Sequence, residues 1–193
     1  MIFTIMRSLI LSIILFSIAL FVVPTAHAQE KDMGAATSPV YVKYDLAFPG
    51  MLPDNPFYKI KVLRDRLAAD FITDPIQKIE FYLRQTDKGI LAAAMLVDKN
   101  NIVLANETAL KAEHNNTLLT YELYRLTDKQ DEAFFTKLKT AAAKHQEVLG
   151  VLMSRVGEAD RQVFAQVIEF SKRNVQTIEE YQARPEDRKT NPS

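Results

Sequence analysis

Cysteine and tryptophan are absent from this chain of 193 residues, glycine occurs only 5 times, and no proline stands between Ile76 and Arg184. Lack of cysteine removes disulfides, Cys-x-x-Cys redox pairs, thiolate metal sites, Cys nucleophiles and a lipid-bearing cysteine at one stroke. Scattered glycines leave no phosphate-cradling loop, and neither Gly-x-Ser-x-Gly nor His-Glu-x-x-His occurs. The Glu-x-x-His pair of carboxylate-bridged di-metal bundles is missing as well. Charge of one sign is also lacking, with Lys+Arg 24 against Asp+Glu 24. The chain as a whole therefore supplies no field for capturing nucleic acid or anionic headgroups. These absences together predict a protein that is not an enzyme, carries no cofactor and binds no nucleic acid.

One long apolar run is present, Leu9 to Val23, preceded by Arg7 and followed by Pro24 and Ala26-His27-Ala28. A charged start, an apolar centre and a small-x-small end make residues 1–28 a signal peptide. The alternative is an uncleaved anchor, since about 20 apolar residues suffice to span a bilayer. Arg7 is the only charged residue of the first 28, so the remainder carries a formal charge of −1. An exported chain without cysteine points to a bacterial exporter and a periplasmic or extracellular destination, or to an N-terminally membrane-anchored protein if the segment stays.

Residues 29–55 read as a proline-containing tether in which Tyr41, Tyr44, Leu46, Phe48 and Leu52 are too apolar to stay wet, so its second half is expected against the domain. Pro49-Gly50 suits a type II turn. Residues 56–184 read as an all-α domain, and residues 185–193 as a polar tail. Apolar residues recur at spacings of three and four, which fits helix and not strand. Asn55-Pro56 and Asp74-Pro75 open the first two helices as N-cap and first helical residue. The first carries Phe57, Ile60, Leu63, Leu67 and Phe71 on one face, expected to pack on its neighbours. The second carries Ile76, Ile79, Leu83, Ile90, Ala94 and Val97, weakened by Gly89. The third, 102–126, is assigned an inward stripe of Val103, Leu110, Thr117, Tyr121 and Tyr124. The fourth, 128–155, has Phe134, Leu138, Ala141, His145, Val148 and Leu152, with Gly157 as its stop. The fifth, 158–182, has Phe164, Val167, Ser171, Val175, Ile178 and Tyr181. The expected architecture is a bundle or open stack of about five amphipathic helices, with helices three and four forming an antiparallel hairpin.

The stretch from Pro49-Gly50-Met51-Leu52-Pro53-Asp54-Asn55-Pro56-Phe57-Tyr58 through Phe71-Ile72-Thr73-Asp74-Pro75 resembles a family of exported bacterial domains of unknown function. Its mark is a Pro-Gly-x-Leu-Pro-Asp-x-Pro segment followed by two helices, the second opened by Asp-Pro. The likeness covers roughly residues 45–125 and departs at Asp87-Lys88-Gly89-Ile90-Leu91, where the family carries an alanine- and glutamate-rich run. It implies an extracytoplasmic all-helical domain and no activity. Leu126-Thr127-Asp128-Lys129-Gln130 is similar to the Leu-Thr-x-x-Gln motif of small helical periplasmic stress proteins, a group with a client-cradling chaperone and heavy-metal sensors. Physically the motif is a capping box between Thr127 and Gln130.

Two histidines follow residue 28. In a hairpin turning near Thr127 and Asp128, His114 and His145 would lie only about 6 Å apart along the axis. With Glu107 or Glu113 they form a candidate metal or proton-linked site; the plainer reading makes each a half-buried histidine with a side-chain partner. Tyr121 and Tyr124, beside Thr117 and His114, are candidates for partner binding or for the polar rim of the bundle. Glu80, Glu107, Glu122, Asp128 and Asp131 read as solvated carboxylates. The cations of Lys59-Ile60-Lys61 and Arg64-Asp65-Arg66 suggest a membrane surface, but Asp65 and Asp70 interrupt them, and packing on neighbouring helices is the simpler account. The functional expectation is an exported, non-enzymatic binding or scaffold module acting on a protein partner or on itself. The alternative is a periplasmic stress-type chaperone or metal sensor.

Overall fold

The structure, a computed structural model, describes residues 41–184. The expected signal peptide 1–28, the first part of the expected tether and the expected tail 185–193 lie outside the described residues. Five helices follow one another: α1 (Tyr58–Phe71), α2 (Pro75–Asp98), α3 (Ile102–Leu123), α4 (Glu132–Met153) and α5 (Glu158–Gln182). The protein is all-α, with no strand among the described residues.

Local chemistry fixes the boundaries. Asp74 caps α2 by accepting from the Ile76 amide at 3.0 Å, with Pro75 in the first turn where no amide is needed. At its other end Asn100 takes a left-handed φ of 58°, and the amides of Asn100 and Asn101 return to the carbonyls of Val97 and Leu96. The tight turn sends α3 back along α2. Asp131 caps α4 by accepting from the Phe134 amide at 2.8 Å. The expected capping box at Thr127 does not form; Gln130 instead donates to the Asp128 carbonyl, because the helix begins four residues later than that motif requires. Gly157 likewise serves α5 as its N-cap and is not the stop of α4.

Helices α2 to α5 make a four-helix bundle. Ile79 and Leu83, early in α2, share a cluster with Leu119 and Leu123, late in α3, with Phe135, Leu138 and Ala141, early in α4, and with Ile178, late in α5. Ile90 to Val97, Ala105 to Ala112, Leu149, Leu152, Phe164 and Val167 make the second cluster at the opposite end. So α2 and α4 run one way and α3 and α5 the other. Burying each Leu, Ile or Phe contributes about 1.5–3 kcal/mol. α2 lies beside α3 and α4, and α5 beside α3 and α4, which leaves α3 and α4 on a diagonal. The expected α3–α4 hairpin is thus corrected: residues 124–131 cross between diagonal helices.

The assigned face of α3 is also corrected. Val103, Leu110, Tyr121 and Tyr124 are exposed, and the buried face is Ala105, Thr108, Ala109, Ala112, Glu113, Asn116, Leu119, Thr120 and Leu123. Small residues are wanted there because α2 and α3 approach closely. A Cβ added at Gly89 would sit 2.5 Å from the Ala112 Cβ, so this glycine is the contact point of the pair rather than a weak spot.

The segment before α1 lies on the bundle. Tyr44 packs against one core cluster and Leu46 against the other. The Val42 amide donates to Glu147 at 2.8 Å, Lys144 sits 4.3 Å from the Tyr41 ring centre, and Lys99 pairs with Asp54 at 2.7 Å. Gly50 turns the chain with φ 67°.

Candidate functional site

A polar layer divides the two core clusters, and each bundle helix contributes to it. Thr86 and Asp87 come from α2, Glu113, Asn116 and Thr117 from α3, His145 from α4, Ser171 and Asn174 from α5. On every helix these residues fall between the positions belonging to one cluster and those belonging to the other. His145 Nε2 lies 2.7 Å from Asp87 Oδ1, and the Tyr44 hydroxyl donates to Asp87 Oδ2 at 3.0 Å. Both oxygens of Asp87 are therefore engaged. Glu113 Oε1 accepts from the amide groups of Asn174 at 2.6 Å and Asn116 at 2.9 Å, and Asn174 also reaches Thr117 Oγ1 at 3.1 Å.

Two atoms of the layer, His145 Nδ1 and Glu113 Oε2, are buried without a protein partner. Each such group costs about 1–3 kcal/mol against solvent. Burial raises the Glu113 carboxyl above the ordinary carboxylate range, opposed by its bonds to Asn116 and Asn174 and by the field of His145. Burial and the neighbouring Asp87 carboxylate push the Tyr44 phenol well above its usual value. An aspartate–histidine pair resembles the orienting half of a catalytic triad, but His145 is 0% and Asp87 5% exposed. The pair lies enclosed in the bundle and joins α2 to α4 across the layer.

The other candidate residues lie elsewhere. His114 is exposed on α3 while His145 is in the core, so the two stand in different surroundings. Among the described residues no group of three or more His, Asp or Glu side chains is gathered as a metal site would require. Tyr121 is exposed. Tyr124 packs edge-on against Tyr181 at 5.5 Å and carries the Arg184 guanidinium 4.5 Å from its ring centre, an aromatic corner at one end of the bundle. The Asp87 partner of His145 went unread in the sequence because it lies 58 residues away, in a stretch noted only as a departure from the family pattern. The one available signal was its position, three residues before Ile90 and four after Leu83 on the buried face of α2.

Outside the bundle, α1 is the anomaly. It makes no extensive contact with another helix. Tyr58, Asp65, Ala69 and Ile72 face the domain, and Asp65 is held there by Arg64 at 2.7 Å and Lys61 at 3.3 Å. The apolar face expected to pack is the one left uncovered: Phe57 is 63% exposed, Ile60 67%, Leu63 58%, Leu67 49% and Phe71 83%. The physical reason is geometric. The four neighbouring helices already close their core on one another, and α1 reaches them only through its opposite side. Between α1, the Pro49–Pro53 turn, α2 and α3 lies a shallow cleft of about 80 Å³, whose polar lining includes Lys61, Lys88, Lys111 and Asn115.

An all-α bundle with a buried polar layer and an appended amphipathic helix defines the class of protein. Within it, residues 50–159 match the model of the domain of unknown function DUF5667, and the chain belongs to that family. Comparisons with curated proteins and with solved structures gave no match.

Proposed function

We propose that this chain is an exported, non-catalytic helical module that works by docking, with the uncovered face of α1 as its contact surface. The observation that carries the reading is the placement of α1. Five large apolar side chains at helical spacing, on the order of 600 Å² together, stay in water, at the upper end of the 300–600 Å² usual for the largest patch on a soluble monomer. The aspartate–histidine pair Asp87–His145 is, by contrast, enclosed in the polar layer. The apolar run Leu9–Val23 and the small-residue site that ends at Ala28 support export.

A photo-crosslinking amino acid at Leu67, compared with one at the still more exposed Val103 on α3, tests the reading in cells. The expected result is adducts from position 67 alone, on protein whose N-terminus is Gln29 and which lies outside the cytoplasm. Adducts of equal yield from both positions, or none from position 67, would overturn it.

A further inference from the structure

The geometry points to an anionic phospholipid surface as the partner of α1; this rests on the docking reading above and names its occupant. At 3.6 residues per turn, Ile60, Leu63, Leu67 and Phe71 form one stripe, with Lys59 and Arg66 along one edge and Arg64 along the other. All three cations are exposed. Of the two acidic residues that interrupt this helix in the sequence, Asp65 is turned to the domain side and held by Arg64 and Lys61, so Asp70 is the one carboxylate left at the stripe. A charge balance that is zero over the whole chain therefore conceals a local excess of cations around the uncovered apolar face of α1.

Such a face fits an interfacial helix, which sinks its apolar side to the level of the acyl chains while its basic edges meet headgroups. Docking of a second copy through the same stripe would bring two sets of Lys59 and Arg66, beside the two Arg64–Asp65 pairs, together with only the two Asp70 carboxylates to answer them. Like charges facing one another oppose that arrangement. Geometry favours the membrane too. The helix is held to its domain by the opposite side, so its outer face can lie flat on a surface.

Residues 29–193 keep the whole unit from Tyr41 onward, with both core clusters, and omit the apolar run, which would partition into lipid by itself. With this protein, sedimentation with vesicles of phosphatidylcholine containing about 30% phosphatidylglycerol is expected to exceed that with phosphatidylcholine alone by about tenfold, and to weaken as salt is added. The double variant Leu63→Glu/Leu67→Glu changes exposed positions, so its helical circular dichroism should be unchanged while vesicle binding falls at least about tenfold. Because the chain has no cysteine, a nitrobenzoxadiazole label on Leu63→Cys reports from one place, and its emission should shift to the blue on anionic vesicles. Absence of sedimentation, or sedimentation that the double variant leaves intact, would overturn the assignment. So would a dimer in analytical ultracentrifugation that the double variant dissolves while vesicles stay unbound. If vesicles fail but position 67 still crosslinks to a protein in cells, the lipid assignment falls and the docking reading stands; if both fail, both fall.

Discussion

Asp87 is the residue on which the middle of the bundle is hung. Its carboxylate is buried and has two donors, one from α4 and one from the N-terminal segment, so neither can be removed without stranding a charge. His145→Leu is expected to cost about 3 kcal/mol or more in urea unfolding, and adding Asp87→Asn should restore part of that, because the stranded group is then uncharged. Glu113 makes the converse case. Its folded-state pKa is raised above the ordinary value of about 4.5, so the native state holds the proton more tightly than the unfolded chain does. Stability is unaffected below the ordinary value and declines as pH climbs through the raised one. Glu113→Gln keeps an oxygen for Asn116 and Asn174 and cannot ionise. The stability of the wild type relative to this variant should therefore fall as pH rises above the ordinary carboxylate value and level off once pH has passed the raised one, in denaturant titrations.

At the scale of elements, closeness of approach decides what substitutions do. Gly89→Ala would improve helix propensity by about 1 kcal/mol in an isolated helix. Here the new methyl meets Ala112 at 2.5 Å, with the Ala112 Cα 3.2 Å away, and α2 must move off α3. The expected outcome is net destabilisation of about 1–3 kcal/mol. Gly150→Ala in α4, where nothing stands within 4 Å, should instead raise the melting temperature. The same closeness explains what was legible in the sequence. The start of α2 was readable because Asp74-Pro75 is a local chemical signal, whereas α1 begins at Tyr58, two residues past the expected Asn55-Pro56 start; the faces of α4 and α5 were readable because Leu138, Ala141, His145 and Leu152, or Phe164, Val167 and Ser171, combine bulk with spacing. The face of α3 was misassigned because bulk was taken as the mark of burial, whereas a helix pressed against its neighbour buries alanine and leaves Val103 and Leu110 outside. α1 was misassigned for the opposite reason. Its amphipathic pattern is real, but a pattern does not say whether the surface it fits belongs to the same molecule.

For the molecule as a whole, the bundle needs its last helix. The family match ends at residue 159, two residues into α5, yet Phe164, Val167 and Ile178 are at most 1% exposed and complete both core clusters. A chain truncated after residue 159 should lose cooperative thermal unfolding, and its amide protons should exchange without protection. The polar layer also has a division of labour. Both of its carboxylates, Asp87 and Glu113, come from the α2–α3 hairpin, while His145 and Asn174, which answer them, come from the α4–α5 hairpin. The two halves are therefore unlike, one carrying the acidic side chains of the layer and the other the side chains that meet them. When chains emerge crowded and half-folded, two α2–α3 hairpins from different molecules would have to bury four carboxylates against one another with no histidine among them. The layer thus works as a keyed joint, accepting the complementary hairpin and refusing its own likeness.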